Sequence, residues 1–237
     1  MRATLDDYGT YLAHVKTRRP VVDKDDLIVD LCRGRSVLDI GCIDHSAETA
    51  LGLGDRWLHH RIGEAATEAV GLDILAEEAA KLNDLGYDIR AGDATAFDLG
   101  RTFDVIVSGD IVEHLDNVGL FLGCVRRHLA DDGRFVMTTP NAFNIEQAAR
   151  ILFLGDVRVH EQHVAYYDPT VMFELVHRCG FAIERFEWVH TRFDMAFESP
   201  KRSARAVNWL TRQASRVRPM FRRDFALVLR RGSAEPE

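Results

Sequence analysis

Between Arg35 and Pro140 the chain alternates short apolar runs with amphipathic stretches, and this alternation restricts the fold more than any other feature. SVLDIG (36–41), AVGLDI (69–74), DIRAGDA (88–94), FDVIVSGD (103–110) and GRFVMTTP (133–140) are short, contain β-branched residues and are flanked by glycine or proline, which predicts strands. Ser46 is placed to cap a helix running towards His60, LAEEAAKLNDLG (75–86) reads as a helix ending at a glycine, and 111–130 is mostly helical. Strands alternating with helices predict a parallel sheet covered on both faces.

Beyond Pro140, helices over 142–154 and 169–180 flank a polar loop at 155–168, and strands follow near 182–190 and at FALVLRR (225–231). The roughly 34 residues between those strands exceed a hairpin loop and predict a lid, an interface or a small helical insertion. Residues 4–33 read as largely helical, with a break at Pro20 and a second helix around Asp25 to Cys32. The expectation is one α/β domain. It comprises an N-terminal helical cap (1–34), a core (35–190 plus 225–231) and a basic helical insertion or lid (191–224).

A chain of 237 residues, 46% apolar and 28% charged, has the composition of a soluble globular protein. No run approaches the roughly 18 apolar residues of a membrane span. The opening MRATLDDYGTYLAH, with early acids and no apolar stretch, shows no secretory signal. Cys32, Cys42, Cys124 and Cys179 form no Cys-x-x-Cys pair, which points to free thiols in a reducing cytoplasm. The net charge of -7 is uneven: residues 201–231 hold ten bases against one acid, so the rest is strongly acidic. An acidic body argues against broad nucleic-acid binding, while the basic segment keeps an anionic partner open. Val207, Leu210, Ala214 and Val217 give that segment a helical apolar spacing, suited to a lid, a dimer helix or an anionic surface.

In an open α/β sheet, ligands bind at the carboxyl ends of the strands, where strand order reverses. Three acids fall at the ends of three successive strands. Asp39 lies near Gly41, placed to meet a cationic group; Asp73 could accept from ribose hydroxyls; Asp93, followed by Ala94, could accept from an adenine amino group. A nicotinamide dinucleotide is disfavoured, because its fingerprint glycines are missing and an acid sits near the phosphate position.

With these pieces, VLDIGC, GLDI, AGDA, FDVIVSGDIVEHL, LADDGRFVMTTPN and HVAYYDP, the chain from about Arg35 to Arg231 resembles the class I S-adenosylmethionine-dependent methyltransferases, closest to the small-molecule group. The resemblance implies a Rossmann-like, seven-stranded, mostly parallel sheet whose last strand is antiparallel. It assigns Asp39 and Gly41 to the methionine end of the cofactor, Asp73 to ribose, and Asp93 with Ala94 to adenine. Cys42, Ile74 and Asp110 join that cofactor-binding set. The family's Gly-x-Gly-x-Gly loop is here Gly41-Cys42-Ile43-Asp44-His45, with Ile43 and His45 in place of glycines, so a different loop path is expected.

For the acceptor, the Asn-Pro-Pro-Tyr type of motif and the spaced Lys-Asp-Lys-Glu set are absent. The fourth strand instead ends in Asp110-Ile111-Val112-Glu113-His114, whose spacing puts Asp110, Glu113 and His114 on one face if a helix begins there. With His163 they form a candidate Mg²⁺ or Mn²⁺ site, similar to the Glu-x-x-Glu-His arrangement of ubiquinone-biosynthesis O-methyltransferases and small-RNA 3′-terminal methyltransferases. The same Glu-His pair also lines metal-free pockets, so both readings stay open. His163, His114 and Asp110 are the candidate catalytic residues, with His163 the leading base and His160 and Glu161 beside it. Tyr166 and Tyr167 are expected on the pocket wall. Tyr8, Tyr11 and His14 lie where the family's N-terminal helix often closes over the cofactor.

These readings converge on S-adenosylmethionine-dependent O-methylation of a hydroxylated small molecule such as a sugar, glycoside or other secondary metabolite. Two alternatives remain: a metal-dependent RNA 3′-terminal ribose 2′-O-methyltransferase, and a non-catalytic binding protein whose loop has lost the cofactor. A homodimer is compatible with the sequence.

Overall fold

The computed structural model describes residues 5–157, 160–190, 213–215 and 217–232. The chain runs through α1 (Tyr8–Lys16), β1 (Val22–Asp23), α2 (Lys24–Cys32), β2 (Ser36–Ile40), α3 (Ala47–Leu53), α4 (Leu58–Ala65), β3 (Glu68–Asp73) and α5 (Ala76–Asn83). It continues through β4 (Ile89–Ala91), β5 (Phe103–Gly109), α6 (Val118–His128), β6 (Leu129–Pro140), α7 (Ile145–Leu154), α8 (Pro169–Arg178), β7 (Phe181–His190) and β8 (Asp224–Arg231). One sheet holds all eight strands in the order β1-β7-β8-β6-β5-β2-β3-β4. β8 is antiparallel to both β6 and β7, as expected of the last strand, and the remaining pairs are parallel. The two-residue β1 adds an eighth strand to the expected seven; so short a pair, one residue of it charged, gives no periodic signal.

The central strands are apolar on both sides because helices cover both faces. One face packs Leu38, Ile106, Phe135 and Leu227 against Phe121 and Val125 of α6 and Met172 and Val176 of α8. The other packs Val37, Val105, Val107 and Val136 against Ile28 and Cys32 of α2 and Ile62 of α4. Side-chain caps set the helix starts: Asp7, Asp23, Ser46, Asn117, Asn144 and Asp168 each accept a backbone N–H in the first turn. The helix expected from Ser46 to His60 is split at Gly54, whose φ of 53° ends α3 before α4 begins.

The N-terminal helix does not close over the cofactor side. Tyr11 is fully buried against Phe173 and Phe186, its hydroxyl donates to Pro169 O at 2.8 Å, and His14 bonds Phe186 O. Tyr8 stacks edge-on to Phe173. The apolar face of α1 is thus used up on α8 and β7, several strands away from β3 and β4. Most of the expected basic insertion over 191–224 lies outside the described residues. Among the described residues, no helix is long and apolar enough to cross a membrane.

Candidate active site

Strand order reverses between β2 and β5, so the carboxyl ends of these neighbours form the crevice expected to take a ligand. Gly41 leaves β2 with φ 74°, and a Cβ there would lie 2.1 Å from Ile111 Cδ1, so both backbone and packing demand glycine. The glycine-poor loop then turns inward. Cys42 and Ile43 pack with Ala47, Ala50 and Trp57, and the Trp57 indole N–H donates to Cys42 O at 2.7 Å. Ile43 needs no left-handed backbone, whereas His45 adopts φ 60° itself. The expected different path is therefore only partly different: one glycine position is filled by a buried side chain, and another keeps a glycine-like conformation without glycine.

This path determines what the expected cofactor residues can do. Asp39 is 3% exposed and its Oδ2 bonds His59 Nδ1 at 3.0 Å, which gives the carboxylate a buried imidazole partner. Cys42 is likewise withdrawn, its side chain buried and its carbonyl occupied. Asp73 Oδ2 accepts from Ile43 N–H at 2.9 Å and Oδ1 from Leu75 N–H at 3.1 Å, so each oxygen keeps a second lone pair for a hydroxyl. Ile74 beside it is 73% exposed, a bare aliphatic face suited to a purine. Asp93 Oδ1 is tied to Thr95 N–H and Oγ1, both at 2.7 Å, which leaves Oδ2 for an exocyclic amino group; Ala94 packs on the core behind it. The adenosine end thus has its acceptor set at the carboxyl ends of β3 and β4, and the residues present fit S-adenosylmethionine there.

On the other side of the crevice, the helix expected from Asp110 does not form. Asp110 has φ 54°, the chain makes one 3₁₀ turn over Val112–His114, and α6 starts only at Val118. The spacing of three and four therefore fails to bring Asp110 onto the face of Glu113 and His114. Lys24 at the start of α2 reaches Asp110 Oδ2 at 2.7 Å, and Thr138 Oγ1 donates to Oδ1 at 2.8 Å. Burial pushes the Asp110 carboxyl up, but Lys24 and Thr138 more than offset it and hold it below the ordinary carboxylate range.

Glu113, His114 and His163 do come together, with one potential ligand atom from each lying within 4.8 Å of the others. The expected metal set thus loses Asp110 and keeps the other three. Glu113 is 2% exposed; Oε2 accepts from Thr139 Oγ1 at 3.0 Å, while Oε1 has no partner among the described residues. Burial, with the neighbouring Asp110 charge, raises this carboxyl to about 8. The Glu113 carbonyl accepts from Val164 and Ala165 N–H, which fastens the histidine loop against the 3₁₀ turn. His114 Nδ1 faces Gln162 O at 3.2 Å; a carbonyl only accepts, so Nδ1 carries the proton and Nε2 is the basic nitrogen. The His114 and His163 rings are 4.7 Å apart and perpendicular, with His160 5.2 Å from His163. Partial burial and then the two neighbouring imidazoles lower His163, keeping it neutral near pH 7. Tyr166 lies 6.5 Å from His163, while Tyr167 pairs with Asn141 at the neck of the loop.

Three participants were not anticipated. Thr138 and Thr139 lie within the TTPN segment, where a pair of hydroxyls next to a strand-ending proline was a readable signal. Lys24 gave none, standing 86 positions from Asp110 in a segment read only as helical.

The Methyltransferase domain family profile matches residues 14–185. The chain belongs to this family. A ubiquinone biosynthesis O-methyltransferase of Bartonella bacilliformis is 29% identical over 140 residues, covering 56% of this chain and 52% of that protein. An (S)-tetrahydroprotoberberine N-methyltransferase of Eschscholzia californica is 25% identical over 99 residues, 42% of this chain and 28% of that protein. The chain thus spans about half or less of the length of these curated relatives. Among solved structures, a SAM-dependent methyltransferase from Archaeoglobus fulgidus superposes with a TM-score of 0.54 at 19% identity, over 94% of this chain and 99% of that one, which shows a shared fold.

Proposed function

We propose that this methyltransferase-family chain uses S-adenosylmethionine to O-methylate a hydroxylated small molecule, such as a sugar, glycoside or other secondary metabolite. The observation that carries the reading is His163, an imidazole in ring contact with His114 on the β5–β6 side of the crevice whose β2–β4 side carries Asp73 and Asp93. The cofactor supplies a sulfonium-bound methyl group. Asp73, Ile74, Asp93 and Ala94 would hold its adenosine end, and Gly41 would set how closely it approaches the backbone. His163 would accept the proton that the acceptor hydroxyl gives up. Lys24 keeps Asp110 ionised and fixed, and the four free cysteines suit a reducing cytoplasm.

Calorimetric titration of S-adenosylhomocysteine, followed by methyl transfer to phenols and sugars, tests this. His163→Ala should lower kcat about 10²–10⁴-fold with cofactor affinity unchanged. No binding by the folded protein would remove the enzyme reading and leave a binding protein.

One observation favours a metal-assisted form of the same reaction: Oε1 of Glu113, without a partner among the described residues, beside two imidazoles. A bound ion would lower the pKa of the attacked hydroxyl. One carboxylate with two imidazoles suits Mn²⁺ or Zn²⁺ better than Mg²⁺, whose preference is for oxygen. Transfer that is lost in EDTA and restored by one of these ions, with His114→Ala insensitive to both, would establish that form. The RNA alternative loses ground, since Asp110 is held by Lys24 outside the cluster.

A further inference from the structure

Residues 143–157 and 160–166 belong to an excursion that leaves the sheet after β6 and returns to its starting point. Ala142 N–H donates to Tyr167 O at 2.8 Å and Asn141 bridges Tyr167, so the excursion is closed at its neck. This roughly one-tenth of the chain carries seven of the fifteen large apolar side chains exposed among the described residues, including Phe143, Ile151, Leu152, Phe153, Val164 and Tyr166. A surface helix ordinarily turns its apolar stripe onto the core. α7 buries none of its described side chains, and Leu152 and Phe153 near its end are 74% and 77% exposed. Apolar exposure concentrated on so short a stretch marks a binding surface.

What the surface binds follows from where it begins. Val164, through its N–H on Glu113 O, and Tyr166, with its ring 6.5 Å from that of His163, stand next to the candidate base. The same short excursion therefore carries the proton acceptor and the apolar face. We infer that the acceptor is an amphiphile, with its hydroxyl-bearing head at His163 and a hydrocarbon tail on the exposed face of α7 formed by Ile151, Leu152 and Phe153. The inference rests on the O-methylation reading and names its substrate class. An anionic bilayer fits less well: the one arginine among the described residues of the excursion, Arg150, is paired with Asp156 at 2.7 Å.

The test uses the full chain with 4-methylphenol, 4-butylphenol and 4-octylphenol, below their aggregation limits and with S-adenosylhomocysteine bound. Affinity should rise about two- to fourfold for each added methylene. A Leu152→Ser/Phe153→Ser variant, altered only at exposed positions, should flatten that dependence and bind 4-methylphenol and S-adenosylhomocysteine as before. Equal affinity along the series, or an unchanged dependence in the variant, overturns the inference. So does variant-sensitive sedimentation with phosphatidylcholine vesicles without chain-length dependence, which assigns the face to a bilayer, or dissociation of a dimer by the variant, which assigns it to a second copy. Methyl transfer to 4-methylphenol without chain-length dependence removes the tail subsite and leaves the O-methylation reading standing. Absence of S-adenosylhomocysteine binding removes that reading itself.

Discussion

On the β2–β4 side of the crevice the strand-end acids are already partnered by the chain: Asp39 by His59, Asp73 by the Ile43 and Leu75 amides, Asp93 by Thr95. On the β5–β6 side a buried oxygen of Glu113 has no partner among the described residues, and three histidines crowd together at the surface. Partnered acids in a fixed loop suit a ligand of constant shape, because its hydrogen bonds meet groups that need no rearrangement. Unpartnered and titratable groups suit the partner that reacts, since they can exchange protons and bonds with it. If the comparison holds, substitutions on the first side act on stability through geometry, and those on the second act through protonation.

The largest expected effect is Gly41→Ala. The left-handed φ costs an alanine about 1–2 kcal/mol, and the contact with Ile111 adds overpacking of similar size, so urea denaturation should show a loss of about 2–4 kcal/mol. Adding Ile111→Ala should remove the overpacking component and leave the φ component. A Gly41→Ala protein as stable as the parent would break the claim that the cofactor side is geometrically fixed.

Next comes Glu113→Gln, which should act through pH. The folded carboxyl, raised to about 8, keeps its proton where the unfolded one has lost it. The stability it contributes is thus complete below the unfolded value of about 4.3 and is lost as pH rises through the folded one. In EDTA the parent should lose about 2 kcal/mol between pH 6 and pH 8, and the glutamine variant should not. Parallel pH curves would show that Glu113 titrates as an ordinary surface acid and would erase the contrast between the two sides.

Lys24→Met should cost less. Breaking a fully buried pair costs about 3–5 kcal/mol, but the Asp110 side chain is more than a third open to solvent, which reduces the expectation to about 1–2 kcal/mol at pH 7. Lys24 holds Asp110 below its ordinary range, so the contribution is present above an ordinary aspartate pKa and lost as pH falls through the folded one. Parent and variant should begin to converge only as pH falls below about 4 and should meet below the lowered folded value. A gap that persists there would mean that Lys24 stabilises through packing of its stem rather than through its charge.

Most of the sheet was legible because each central strand is a short apolar run bounded by turn residues, and the acids at the ends of β3 and β4 could be placed from strand order alone. What escaped the sequence was long-range or conformational. The left-handed backbone at Asp110 breaks the spacing that seemed to unite it with Glu113, and nothing local announces it, since aspartate is a common helix N-cap. Asp39 looked open because His59, its partner, sits 20 residues on in a helix read only by its cap. The Glu113–His114–His163 cluster was within reach, because the histidine loop stood out by composition even though its contact with the 3₁₀ turn did not.

The smallest effect expected, and the one that sharpens the comparison most, is at His45. It is exposed and left-handed at a position where the family has glycine. That conformation costs a non-glycine residue about 1–2 kcal/mol, while glycine gives back about 0.5–1 kcal/mol through the freedom of the unfolded chain. His45→Gly should therefore stabilise the protein by about 0.5–1 kcal/mol in thermal denaturation. If the loop already holds its binding path, S-adenosylhomocysteine affinity should stay within about twofold, because the substitution changes how easily the path is reached rather than the path itself. A marked gain in affinity would show that the loop must move to admit the ligand, and the cofactor side would then be a gate rather than a fixed frame. A marked loss would show that the imidazole itself touches the ligand, giving the loop a contact in place of the glycine it lacks.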